Sequence, residues 1–178
     1  EQGKLETINH SKKKWKIILA QTGLKTQTAG RIKKINKFLE KNEDFLMTYG
    51  DGLCDVNIND LIAYHNINKK LATVTAVRPL ARFGAIDLDQ GMVKNFIEKP
   101  KTSTGWVNGG FFVLSQKTIQ YINSCNEAWE SGPLPRLVKD QNLAAYKHEG
   151  FWQPMDTLRE KHILCDLWDK GKAPWRTS

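Results

Sequence analysis

Two aspartates stand where this chain could do chemistry. Asp51 falls in Phe45–Asp55, FLMTYGDGLCD, where an apolar run of strand formers stops at Gly50-Asp51-Gly52. Glycines on both sides of a carboxylate permit a sharp turn and leave the side chain uncrowded. In open α/β sheets ligands sit beyond the carboxyl ends of strands. A carboxylate there suits a metal ion or a ligand hydroxyl, although the tripeptide alone reads first as a plain turn. Asp156 ends a second apolar stretch, FWQPMD, at the start of a helical pattern. An acidic residue favoured by the helix dipole is the alternative reading there. The formal charge of +8 suits a phosphorylated small molecule. Two bare carboxylates would repel that ligand. A divalent cation between them removes the conflict, because Mg²⁺ binds one or two carboxylates together with substrate phosphates.

Further polar groups could complete such a site. Glu98-Lys99-Pro100 sets a carboxylate beside an ammonium at a strand end; Lys could meet a phosphate and Glu could accept from hydroxyls. A solvated surface pair is the alternative. Arg31, next to Gly30 at a helix start, could face a phosphate. Asn108 could bond a polyol, and Gly109-Gly110 inside a strand suggests a bulge or a close approach of ligand to backbone.

The elements that must position these groups follow from periodicity. Trp15–Ala20 reads as a buried strand, Gln21–Gly30 as a loop, Ala29–Lys41 as an amphipathic helix and Phe45–Tyr49 as a strand. Strand, helix, strand implies a parallel, right-handed βαβ unit. Asn57 can cap the next helix, whose apolar face includes Ile58, Leu61, Ile62 and a packing His65. Leu71–Val77 returns to the sheet. Phe83–Leu88 and Met92–Glu98 flank Asp89-Gln90-Gly91 as an antiparallel hairpin. Trp106–Leu114 and Leu143–Tyr146 read as strands, and Ser115–Asn123 and Leu134–Lys139 as helices. Thr157 with Glu160 forms a capping box for the last helix. The fold expected is α/β, Rossmann-like, with a mixed and mostly parallel sheet flanked by helices.

Composition narrows the function classes. The 178 residues suffice for one core, and 40% hydrophobic with 26% charged residues is ordinary for a globular protein. No apolar run reaches membrane-spanning length and the N-terminus has no signal-peptide pattern, so a cytoplasmic protein is expected. Cys54, Cys125 and Cys165 are too scattered for a disulfide framework and read as small apolar residues of a reducing compartment. His10, His65, His148 and His162 show no metal-ligand spacing with them. A basic nucleic-acid-binding domain would need an aromatic-interleaved basic motif, which is absent.

TGLKTQTAGR, YGDG, EKP, VNGGFFVL and FWQPMDTLRE, in that order and spacing, resemble the sugar-1-phosphate nucleotidyltransferases from about Trp15 to Trp175. YGDGLCDVNI and FWQPMDTLRE point to the cytidylyl branch. The resemblance implies transfer of a cytidylyl group from CTP to glucose-1-phosphate, giving CDP-glucose and pyrophosphate, in the nucleotide-sugar supply of O-antigen and lipopolysaccharide synthesis. By that pattern Asp51 and Asp156 hold Mg²⁺, and Asp51, Lys99 and Asp156 form the catalytic set. Lys99 grips the sugar phosphate and Glu98 the glucose hydroxyls, with Gly84, Asn108 and Gly109 lining the sugar pocket. Thr28, Gly30, Arg31, Gly50 and Asp51 contact the nucleotide. The family's first strand and GGxGTR loop have no counterpart in these 178 residues. The reading therefore expects a flexible basic segment 1–14, then residues 15–178 as the C-terminal two-thirds of a domain. It also expects weak turnover by this chain alone and a homo-oligomer. Ala29 stands at a usual second glycine, which would be strained if φ were positive. Pro135 replaces a usually acidic residue but is tolerated early in a helix. A non-catalytic sugar-phosphate-binding or regulatory module, and a nucleotidyltransferase for another sugar or nucleotide, are the alternatives.

Overall fold

The computed structural model describes residues 16–79, 85–97 and 105–176. The elements in order are α1 (Thr28–Ile35), β1 (Asp44–Thr48), β2 (Gly52–Cys54), α2 (Ile58–Asn68), β3 (Ala72–Val77), β4 (Ala85–Asp89), β5 (Met92–Ile97), β6 (Val107–Ser115), α3 (Pro133–Lys139), β7 (Leu143–His148), β8 (Trp152–Pro154) and α4 (Leu158–Asp169). Short 3-10 turns follow α1 and β6. The expected flexible segment 1–14 lies outside the described residues.

β6 is the strand the others lean on. Its residues Phe112, Val113 and Leu114 are all buried, as a strand paired on both edges and covered on both faces requires. β1 and β3 pair with its two edges, and β7 pairs with the far edge of β3, so the sheet order is β1-β6-β3-β7. β1 alternates between exposed and half-buried positions, as an edge strand with one wet face does. Ala29 and Ile32 of α1 join Ala72, Phe112, Leu114, Ile122, Trp129 and Leu137 in one buried cluster. Trp129 is fully buried and meets Phe112 edge-on, centroids 6.2 Å apart. Separate two-stranded ladders join β2 to β8 and β4 to β5.

This sheet corrects the expected one. β1–β6 and β3–β6 are antiparallel, and only β3–β7 is parallel. The sheet is mixed but mostly antiparallel. The parallel expectation came from a strand at Trp15–Ala20, yet residues 16–20 carry no regular structure, with Ile17 and Leu19 largely exposed. An apolar run signals a wish to be buried but names no partner, and a strand exists only where a ladder receives it. The expected βαβ unit is therefore not formed among the described residues. The first helix starts at Thr28 and passes into a 3-10 turn after Ile35, short of Lys41. The stretch after β6 is likewise a 3-10 turn, Gln116–Tyr121.

Local signals held better. The Asn57 side chain accepts from Asn59 N and Asp60 N at the start of α2. Thr157 and Glu160 make the reciprocal capping box of α4. Pro135 lies within the first turn of α3, where a missing N–H costs nothing. His65 is a buried packing residue, its Nδ1 2.8 Å from Thr73 Oγ1 and its Nε2 3.4 Å from Asp44 Oδ2. No helix of the described residues is long and apolar enough to cross a membrane.

Candidate functional site

The turn Gly50-Asp51 is held from both sides. Before it, Tyr49 N donates to Gly110 O at 3.0 Å; after it, Met155 N donates to Asp51 O at 2.7 Å. The β2–β8 ladder continues from that bond with Gly52 opposite Pro154. The backbone of Asp51 thus adjoins Met155, and Asp156 is the next residue. Both aspartates are exposed, and neither carboxylate has a hydrogen-bond or ion-pair partner among the described residues. Asp156 is not the cap of α4: Thr157 fills that role, and Glu160 Oε2 accepts from Asp156 N at 3.0 Å. Among the described residues nothing engages its carboxylate. Two carboxylates on adjoining backbone, without partners among the described residues, are a donor set that fits a hard divalent cation.

Beside this turn lies a polar cluster. Tyr49 OH donates to Glu130 Oε1 and accepts from Asn108 Nδ2 at 3.2 Å. Burial, then the bond to Glu130, pushes the Tyr49 hydroxyl above the usual phenol range, so it stays protonated and serves as a fixed donor. Asn108 Oδ1 accepts from Gly110 N at 2.8 Å, which fixes the amide orientation of an exposed side chain. Trp152 Nε1 donates to Gly109 O at 2.8 Å and ties β8 to β6.

The paired glycines serve the protein's own packing. A Cβ on Gly109 would sit 2.9 Å from Thr75 O, where β3 shifts register between Val74 and Ala76. Gly110 has φ +79°, and a Cβ there would lie 2.8 Å from the Tyr49 ring. The bulge expected from these letters is present, with neighbouring strand and ring making the close approach. Gly50 shows the reverse, with no atom of the other described residues within 4 Å of an added Cβ and no positive φ.

On the α1 side, Thr28 Oγ1 accepts from Trp129 N at 2.7 Å and lies 3.3 Å from Glu130 Oε2. Gly30 packs on Cys125, whose carbonyl would be 2.3 Å from a Cβ. Arg31 is exposed, with Nη1 2.6 Å from Thr22 Oγ1. Ala29 is buried inside α1 without positive φ, so the expected strain does not arise. Glu130 thus touches both Thr28 and the Tyr49–Asn108 pair, a link between distant positions that spacing does not signal. Gly84, Glu98 and Lys99 lie outside the described residues.

The structure also gathers groups that spacing kept apart: Cys54, Asp55 and His148 bring their ligand atoms within 4.8 Å of one another. Burial pushes the Cys54 thiol up to about 11, which makes it a poor nucleophile as it stands.

Comparison with known proteins agrees with this fold. Residues 2–157 match the Nucleotidyl transferase family. The chain is 44% identical over 99% of its length to glucose-1-phosphate cytidylyltransferase of Salmonella typhi and covers 68% of that protein. Against mannose-1-phosphate guanyltransferase 2 of Candida glabrata it is 30% identical, covering 78% of this chain and 40% of that one. The crystal structure of HddC from Yersinia pseudotuberculosis superposes with a TM-score of 0.56 at 20% identity, over 80% of this chain and 63% of the other. With a family match across most of its residues, the chain belongs to the nucleotidyl transferase family, among the relatives of glucose-1-phosphate cytidylyltransferase.

Proposed function

We propose that this chain carries the sugar and metal side of a glucose-1-phosphate cytidylyltransferase, which joins CTP and glucose-1-phosphate into CDP-glucose and pyrophosphate. The observation that carries the reading is the 44% identity over 99% of the chain to a protein of that name. The carboxylates of Asp51 and Asp156, exposed at one end of the β2–β8 ladder and without partners among the described residues, support it chemically.

In this reading a phosphate oxygen of glucose-1-phosphate attacks the α-phosphorus of CTP in line. A P–O bond forms, the α–β bridging P–O bond breaks, and pyrophosphate leaves. Asp51 and Asp156 would hold Mg²⁺, which when bound neutralises charge on the triphosphate. The chain's own residues orient the partners: Lys99 holds the sugar phosphate as a point charge and Glu98 accepts from glucose hydroxyls, beside Gly84. The Asn108 amide, fixed by Tyr49 OH and Gly110 N, presents a set polar edge to the sugar next to Gly109. Thr28, Gly30, Arg31 and Gly50 form the nucleotide side, with Arg31 an exposed cation there. No covalent enzyme intermediate is required, because in-line transfer depends on alignment and charge.

Incubation with CTP, Mg²⁺ and glucose-1-phosphate, followed by pyrophosphate and sugar-nucleotide assays, tests this. CDP-glucose should form, slowly, since no GxGxxG or GxxxxGK[ST] loop occurs within these residues. Asp51→Asn and Asp156→Asn should each lower the rate by about 10²-fold or more. Preference for UTP, dTTP or GTP would assign another nucleotide. Binding of glucose-1-phosphate with no turnover of any nucleotide would favour the regulatory module.

A further inference from the structure

We propose that Cys54, Asp55 and His148 form a second metal site, for a soft or borderline divalent cation such as Zn²⁺, separate from the Asp51–Asp156 pair. The residues come from two places: Cys54 ends β2 with Asp55 just after it, and His148 ends β7. Their ligand atoms all lie within 4.8 Å of one another. His148 Nε2 is 2.8 Å from Asp55 Oδ1, with the His148 side chain largely buried and Asp55 at the exposed rim. Ligands of a tetrahedral zinc stand roughly 3.3–3.7 Å apart, given bond lengths of about 2.0–2.3 Å. Small side-chain rotations therefore separate the present cluster from a coordinated one. Thiolate, imidazole and carboxylate together select Zn²⁺ over Mg²⁺, which prefers oxygen alone.

The surroundings are shaped for this trio. Gly150 lies against it, and a Cβ there would be 2.5 Å from Asp55 Oδ1 and 2.6 Å from His148 Cε1. Asp55 N donates to Phe151 O at 3.2 Å, which holds the β2 end against the chain entering β8. Three protein ligands leave one position for water. Binding exchanges the Cys54 S–H for a sulfur–metal bond, the proton going to solvent, and His148 turns a neutral nitrogen to the metal.

The consequence is mechanical. Cys54 pairs with Trp152 at one end of the β2–β8 ladder, and the other end leads into Asp51 and Met155-Asp156. A metal at the Cys54 end clamps the short ladder from which both aspartates emerge.

Cobalt is the probe. The chain, freed of metal by a chelator, is titrated with Co²⁺ alone. A near-ultraviolet thiolate-to-cobalt band should rise and saturate at one equivalent, and Zn²⁺ should abolish it while Mg²⁺ does not. Cys54→Ser should lose the band. The double variant Cys125→Ser, Cys165→Ser should keep it, as should Asp51→Asn, which separates this site from the other carboxylates. Asp55→Asn and His148→Ala should weaken Co²⁺ binding by at least about tenfold. Absence of a saturable band in the unaltered chain, or a band that survives Cys54→Ser, overturns the proposal. Cys54→Ser is nearly isosteric, and its far-ultraviolet dichroism checks that a lost band is not a lost fold.

Discussion

Gly110 and Gly50 are the same letter used for opposite reasons. Gly110 is held at φ +79° against the Tyr49 ring, while Gly50 faces open space on ordinary backbone. Gly110→Ala should therefore destabilise the chain by about 1–3 kcal/mol, from left-handed strain and displacement of Tyr49. Gly50→Ala should stay within about 0.5 kcal/mol. Urea midpoints of the two variants check this, and equal effects would mean that the Tyr49 contact carries no strain. The sequence marked both positions without ranking them, because a glycine's necessity depends on what lies across from it. The same limit hid Glu130. Its contacts with Tyr49 and Thr28 join residues far apart in the chain, and no periodicity announces them. The turn at Asp51 and the helix start just after Asp156 were legible because each ends an apolar run, a local signal. Cys54 and His148 were not, because their proximity exists only after β2 and β7 are in place.

Among the elements, α4 shows what sequence reading does well. Thr157 and Glu160 satisfy each other's backbone donors across one turn, so the cap can be read from four residues. Thr157→Ala should cost about 0.5–2 kcal/mol. Asp156→Asn, one residue earlier, should cost less than about 0.5 kcal/mol, because its carboxylate has no partner among the described residues. Thermal melts of the two variants separate cap from ligand: a larger loss in Asp156→Asn would make that carboxylate structural. The ladders show the opposite limit. β2 and β8 are three residues each and exist only through each other, so neither has a periodicity to find. Strand direction is equally non-local. β1, β3 and β6 were all legible as strands, but their antiparallel pairing was not, since alternation is the same in either direction.

At the scale of the whole molecule, the Glu127–Arg136 pair makes the fold's stability respond to acid. Glu127 Oε1 accepts from Asn123 N at 2.6 Å and Ser124 N at 3.1 Å, and its Oε2 meets Arg136 Nη2 at 2.5 Å. Arg136 also donates to Tyr121 O. The pair ties the segment that carries the buried Trp129 to α3 and to the turn after β6. The Arg136 hydrogen bond, helped by the two backbone donors, holds the Glu127 carboxyl down to about 2. An unfolded glutamate titrates near about 4.3. A folded-state value below the unfolded one means stability that is fully present above about pH 4.3 and lost as pH falls through about 2. Acid also removes negative charge from a chain in which 27 Lys and Arg already outnumber 19 Asp and Glu, so self-repulsion grows for every variant. The informative quantity is therefore a difference. Glu127→Gln should be less stable than the parent chain at pH 6–7, and the gap should close as pH falls from about 4.3 towards about 2. Urea midpoints measured across that range for both proteins decide it. A gap that stays constant with pH would show that Glu127 acts through shape and neutral hydrogen bonds alone, and the ionic account of this anchor would be wrong.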